Sequence, residues 1–419
     1  MTTSTAASGS ALAGLRVLDL SRILAGPWCT QILADLGADV IKIERPKVGD
    51  DTRQWGPPFI ADENGDPTQL ATYFLCCNRN KRSVAVDIST PEGQKLISEL
   101  AKQSDIVVEN YKVGGLKQYG LDYESLQKLN PRLIYCSITG FGQTGPYAPR
   151  AGYDLLIQAS GGLMSITGQP DDAPGGGPMR TGVAVIDILT GIYASTAILA
   201  AVESRHKTGK GQYVDMALLD VSTAILANQV SAYLNAGRDS VRQGNSHPSI
   251  VPYQTFPTAD GNMLLAVGND GQFERFCGVI GKPEWAKDER FATNKARVIN
   301  REVLVPMISE VTRTKATVQW VDALEGKAVP CGPVNQMSDV FKDPQVQARG
   351  LRVELPPTQV DGVTTAPVYT VASPVRLSDT PPVLSSPPPA LGQHTDEVLQ
   401  SIGISKDTIA QLKSQAIIG

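Results

Sequence analysis

GLRVLDLSRILAGPWCTQILADLGADVIKIE, residues 14–44, decides the fold. GLRVLDLS (14–21) reads as a strand, GPWCTQILADLGA (26–38) as a helix with Pro27 in its first turn, and DVIKIE (39–44) as a second strand. Strand, helix, strand in so short a span is a βαβ unit, which lays its two strands parallel. The pattern then repeats. SVAVDI (83–88) precedes TPEGQKLISELAKQ, with Thr90 as N-cap and Pro91 behind it, and DIVVEN (105–110) follows. GLDYESLQKLN (120–130) reads as a third helix leading into the strand RLIYCSITGFG (132–142). The predicted fold class is α/β, with a doubly wound, Rossmann-like large domain.

The turn after the first strand, SRILAGP, has too few glycines to seat a pyrophosphate in the dinucleotide manner, which counts against a nicotinamide dehydrogenase. Further on, GQPDDAPGGGPMRTG (168–182) is dense in Gly and Pro and predicts a loop. TGKGQYVDMALLDV (208–221) suggests a turn, a short strand and a helix that cross into a second domain. YQTFPTADGNMLLAV (253–267) predicts a hairpin turning at Asp260–Gly261, and GKAVPCGPVN marks a boundary near 330. SDTPPVLSSPPPALG (378–392), with five prolines, predicts an extended strap ahead of the helical TDEVLQSIGISKDTIAQLKSQ. The domains expected are a disordered leader over 1–13, a large domain over 14–215, a smaller α+β domain over 216–329, and a return to the large domain over 330–419.

At 419 residues the chain has room for two cores. Its 38 basic and 42 acidic residues form no long basic run, which argues against nucleic acid as a partner. The six cysteines show no CxxC spacing and the three histidines lie far apart, so neither a metal site nor a disulfide framework is indicated; a reducing cytoplasm is the expected compartment. Residues 183–202 reach the length of a membrane span, but Asp187, Thr190, Gly191, Ser195 and Thr196 interrupt them and no Lys or Arg belt flanks them. A buried core helix is expected, and no membrane association.

Within that segment, RTGVAVIDILTG (180–191) carries a single carboxylate, Asp187, between Ile186 and Ile188. Stripping an ionised group of water costs several kcal/mol or more unless it is paired or neutralised, so this aspartate needs a specific reason. Two reasons are open from the residues alone: a helix N-cap, or a catalytic carboxylate at the mouth of an apolar pocket.

LAGPWCTQILADLGADVIKIERP, NRNKRSVAVDI, GNSHPSIVPYQTFPTADG, LGQHTDEVL and the Asp187 stretch together resemble the family III CoA-transferases. That group includes formyl-CoA:oxalate, carnitine and succinyl-CoA:dicarboxylate transferases and is related to the α-methylacyl-CoA racemases. The resemblance implies an open-ring subunit interlocked with a second copy as a homodimer. It implies that acyl-CoA and a carboxylic acid are the substrates, with coenzyme A a substrate and no resident cofactor. Asp187 falls in the family's (T/S)GVAxxDxxTG pattern, which makes it the implied nucleophile, carrying first an acyl anhydride and then a CoA thioester.

The same resemblance implies a CoA site lined by Ile23, Leu24, Ala25, Arg45, Val86, Asn110, Tyr111, Tyr119 and Tyr153. Three departures stand out: Gln118 and Ser89 replace a phosphate-binding arginine and a lysine, and Leu24 replaces a glutamine that contacts a small acyl group. Lys112, Lys117 or Lys81 could supply phosphate contacts, while a solvated surface charge is the alternative for Arg45 and Arg82. Leu24 favours a longer acyl chain than oxalate, with a C4 to C6 dicarboxylate preferred. Glycines of GGGP or after Gln243 are candidate oxyanion donors. The racemase alternative needs the histidine of a GHD motif, and this chain has AGYD, with Tyr153 in its place and Asp154 readable as a helix cap. A non-catalytic CoA-binding protein is the alternative in which Asp187 is only a cap.

Overall fold

A computed structural model describes residues 9–419. Six strands form one parallel sheet: β1 (Arg16–Asp19), β2 (Asp39–Glu44), β3 (Lys81–Ala85), β4 (Ile106–Glu109), β5 (Ile134–Thr139) and β6 (Tyr213–Ala217). Their order across the sheet is β3-β2-β1-β4-β5-β6. The order reverses between β1 and β4, and doubly wound sheets bind ligands in the crevice at the carboxyl ends of such a pair.

Alternation along the strands builds two cores. Leu18, Ile41, Val84, Val107 and Tyr135 face one layer, with α2 (Pro91–Lys102), α3 (Tyr123–Leu129) and the two C-terminal helices Thr395–Ser401 and Lys406–Ser414. Val17, Val40, Ile106, Val108 and Cys136 face the other, with α1 (Ala25–Asp35) and α5 (Val185–Thr208); α4 (Asp154–Ser160) adds Ile157 to it. Thr90 caps α2 by accepting from Gly93 N at 3.1 Å. Gly191 lets α5 lie against α1, since a Cβ there would stand 2.7 Å from the Ala25 carbonyl. Here α5, which alone among the described helices is long and apolar enough to span a bilayer, is a layer of the α/β unit.

The described chain divides into two compact units, one of residues 9–163, 181–231 and 347–419, the other of 164–180 and 232–346. These limits differ from the expected boundaries at 215 and 329. The segment 213–217, read as a crossing into the second domain, pairs with β5 as an edge strand of the main sheet, Tyr135 opposite Tyr213. Cys331–Pro333, read as a boundary, pairs with the second strand of the 253–267 hairpin and completes the small sheet of the second unit. That unit closes over Phe256, Met263, Phe273, Phe276, Trp320 and Leu324. Of the leader, residues 1–8 lie outside the described residues; 9–13 form turns in which Leu12 N donates to Leu36 O and Leu12 packs on the core, so this part is ordered.

The proline-rich segment 378–392 forms neither helix nor strand and is bonded to other parts of the first unit. Val383 N donates to Asp35 O, Asn80 Nδ2 to Val383 O at 2.7 Å, and Arg53 Nη2 to Pro389 O at 3.1 Å.

Candidate active site

The first unit opens a cavity of about 410 Å³ at the β1/β4 switch point. Ile23, Leu24, Ala25, Asn110, Tyr111, Tyr119, Tyr153 and Asp187 line it. A second cavity of about 350 Å³, reached past Arg22, Tyr111 and Tyr119, which line both, holds Arg45 and Val86. The two cavities share Arg22, Tyr111 and Tyr119 in their walls, and between them they are lined by Asp187 and by all nine residues of the implied CoA site.

The turn after β1 is held by a buried ionic network. Asp19 accepts from Ser21 N (3.0 Å), Thr30 Oγ1 (2.6 Å) and Lys81 Nζ (3.1 Å). Lys42 Nζ donates to Ser21 O (2.9 Å) and Asp50 (2.8 Å), and Arg53 grips Glu44 with two hydrogen bonds of 2.8 and 2.7 Å. Burial alone would raise Asp50, but Lys42 and the amide and hydroxyl of Thr52 together bring the carboxyl down to about 2. Asp19 and Glu44 are likewise held below their ordinary values against burial, by Lys81 and Arg53 respectively. Gly26 lets the turn fold back, since a Cβ there would meet Ser21 Cβ at 2.3 Å.

The network holds Ile23 at φ 73°, an outlier for a β-branched residue, with its N–H shared between the two oxygens of Asp50 at 3.3 Å. Asn110 clamps the neighbouring peptide: Oδ1 accepts from Arg22 N at 2.9 Å and Nδ2 donates to Arg22 O at 2.7 Å. Its side chain therefore shapes the turn. Lys81 and Arg82 are not available to phosphates, because Lys81 is wholly buried on Asp19 and Arg82 is bound to Asp39 at 2.9 and 2.6 Å. Lys112 lines the cavity of Asp187, while Lys117 lies on a neighbouring one. Sequence reasoning passed over Arg22, which reaches Asp51 at 2.8 Å and lies 5.7 Å from the Tyr111 ring centre. A basic residue inside SRILAGP, next to Ile23, Leu24 and Ala25 of the implied CoA site, is the signal for it.

Asp187 is the third residue of α5, whose N-cap position is Ala184, so it is not the cap. The cap comes from a neighbouring helix: Asp154 Oδ2 accepts from Ile186 N at 2.8 Å and Asp187 N at 3.2 Å. Part of the Asp187 side chain remains open to the cavity, yet the protein around its carboxyl, and then the charge of Asp154, push its pKa up to about 7. Gly140 and Gly152 bring the 139–141 and 151–153 segments into backbone contact, where a Cβ on Gly140 would stand 2.5 Å from Gly152 Cα, and this sets Tyr153 on the cavity wall. The suggested oxyanion glycines fall in the second unit. There Gly244 N is bonded to Gly168 O, and Gly176 N and Gly177 N to Ala173 O and Gln169 O.

A carboxylate on a cavity wall with a raised pKa is suited to attack an activated acyl group. The CoA-transferase family III model matches residues 12–395, and the chain belongs to that family of enzymes. It is 52% identical over 391 residues to a succinate–glutarate CoA-transferase of Agrobacterium fabrum, covering 93% of this chain and 95% of that one. It is 43% identical to the human succinyl-CoA:glutarate CoA-transferase, over 97% of this chain and 90% of that one. Among solved structures, a CAIB/BAIF family protein from Brucella suis superposes with a TM-score of 0.83 at 49% identity, over 94% of this chain and all of that one.

Proposed function

We propose that this chain moves CoA from succinyl-CoA to a C4 to C6 dicarboxylate, glutarate first among them, through covalent intermediates on Asp187. The observation that carries the reading is the uncompensated Asp187 carboxyl in the cavity that also holds Leu24 and leads to Arg45. Relatives that act on succinyl-CoA and glutarate support the substrate pair.

A direct exchange of thioester between two acids would expose the activated acyl group to water, and a covalent carrier avoids this. An Asp187 oxygen attacks the thioester carbonyl and expels CoA thiolate, leaving a mixed anhydride. The thiolate returns to the Asp187 carbonyl carbon, releasing succinate and forming an aspartyl-CoA thioester. The acceptor carboxylate attacks that thioester, thiolate leaves again, and its attack on the acceptor's carbonyl yields the new acyl-CoA and restores Asp187. Arg45 and Val86 hold the nucleotide end, with Tyr111 and Tyr119 between the two cavities. Ile23, Leu24 and Ala25 line the path to the reacting carbon, and Tyr153 stands at the thioester. Leu24, 4% exposed, gives the acyl chain an apolar wall and disfavours oxalate.

The working form is a homodimer in the cytoplasm, interlocked as in the family. Leu155, Leu156, Ile192 and Tyr193, 41–52% exposed in the single chain, supply an apolar face of the kind a second copy covers. An acceptor screen with succinyl-CoA, read by mass spectrometry of the new thioester, tests the substrate assignment. Glutarate and other C4 to C6 dicarboxylates should turn over and oxalate poorly; oxalate turning over as fast as any of them contradicts it.

A further inference from the structure

The first amides of a helix have no partner within it, and the N-cap residue of α5, Ala184, has no polar side chain to offer them. Asp154 fills that need from 33 residues away, and its two acceptor bonds go to Ile186 and to the amide of Asp187 itself. Its other oxygen accepts from Gln158 Nε2, and Gln158 Oε1 in turn accepts from Thr181 N at 3.0 Å. Both oxygens of Asp154 are thus held by neutral donors, on one side by α4 and the 181 segment, on the other by α5. The carboxylate is thereby fixed in place next to that of Asp187.

We infer that Asp154 is a positioning residue for the transfer reaction: docked on the first turn of α5, it fixes Asp187 toward the cavity and holds a like charge against it. The inference rests on Asp187 as the nucleophile.

Two effects follow from the arrangement. The amides at α5's start would stabilise an Asp187 anion, but Asp154 takes them up. The fixed negative charge then disfavours the ionised form of Asp187 and makes the carboxylate more basic and a stronger nucleophile. Once Asp187 is acylated it is neutral and the repulsion disappears, so Asp154 favours the covalent states over the resting one. The other titratable or charged groups around Asp187 are Tyr73, which feels the charges of both aspartates, and Tyr153, Arg22, Lys112 and Arg150 along the cavity. None of these cations offsets the rise at Asp187.

D154N keeps an oxygen to accept the two amides and removes the charge, whereas D154A removes both. The pH profile of kcat, the KM for succinyl-CoA, thermal stability and the adduct on residue 187 are measured in each. D154N should keep its thermal stability and KM, move the acid limb of the profile down by about one pH unit, and lower the plateau about tenfold. D154A should also melt at a lower temperature. D154S, a neutral residue with a capping hydroxyl, gives the same reading should the Asn variant not fold. A D154N enzyme with a normal adduct and an unmoved acid limb overturns the inference and leaves Asp154 a helix cap. Absence of any adduct on Asp187 in the unaltered protein overturns the nucleophile reading, and with it this one.

Discussion

Two groups of carboxylates lie within the same α/β unit, and they are treated in opposite ways. Asp19, Glu44 and Asp50, at or just beyond the ends of β1 and β2, are buried against Lys81, Arg53 and Lys42 and stay ionised. Asp154 accepts from the Ile186 and Asp187 amides at the start of α5, and burial and this neighbouring carboxylate raise Asp187 to about 7. The difference separates scaffold from chemistry. A compensated buried charge is inert and holds the Arg22–Ala25 turn in shape, whereas an uncompensated one beside a cavity is reactive.

Exchanging the uncompensated group for an amide should have the largest effect. Asp187→Asn should fold and bind CoA but lose turnover by roughly 10,000-fold or more, measured as kcat with succinyl-CoA and glutarate. Breaking the compensated set should act on stability instead. Lys42→Met leaves Asp50 buried without its cation and the Ser21 carbonyl without a donor, and should cost about 3–5 kcal/mol in urea unfolding.

The pH dependence sharpens the contrast, because the two groups carry opposite signs. A carboxyl whose folded pKa is raised binds its proton more tightly when folded, so it costs stability increasingly as pH climbs from about 4 to about 7. Asp187→Asn should therefore be more stable than the unaltered protein at pH 8, by about 1–3 kcal/mol, and the gain should vanish near pH 4. Asp50 behaves in reverse: its contribution is present above pH 4 and is lost as pH falls toward 2. Thermal melts of both proteins across pH 4–8 check the Asp187 effect. A helix cap that belongs to neither group sets the lower end of the scale. Thr90→Ala removes the α2 cap and should cost about 1 kcal/mol with kcat unchanged.

Much of this was legible in the sequence because it is local. The strands and helices of 14–44 and 83–139 follow from buried runs, helical spacing and caps such as Thr90, and all fall within a few residues of where those signals lie. Partnership was less legible. TGKGQYVDMALLDV shows a strand but not that β5, some 75 residues earlier, is its neighbour, so it was placed at a domain crossing. Residues 164–180 join the second unit for the same reason, through contacts with chain far downstream. At the site, Asp187 stands out as a lone acid in an apolar run, but its capping group lies on another helix. Lys81 looked like a phosphate ligand because nothing in NKRSVAVDI reveals that its ammonium turns inward to Asp19.

The central claim, that Asp187 is a covalent nucleophile, is tested most directly by giving the enzyme succinyl-CoA without an acceptor and mapping the adduct by mass spectrometry. Modification is expected at Asp187 alone, converted by hydroxylamine to a hydroxamate, reduced by borohydride to the alcohol, and missing from Asp187→Asn. An unmodified peptide at 187, together with an Asn variant that still turns over, would contradict it.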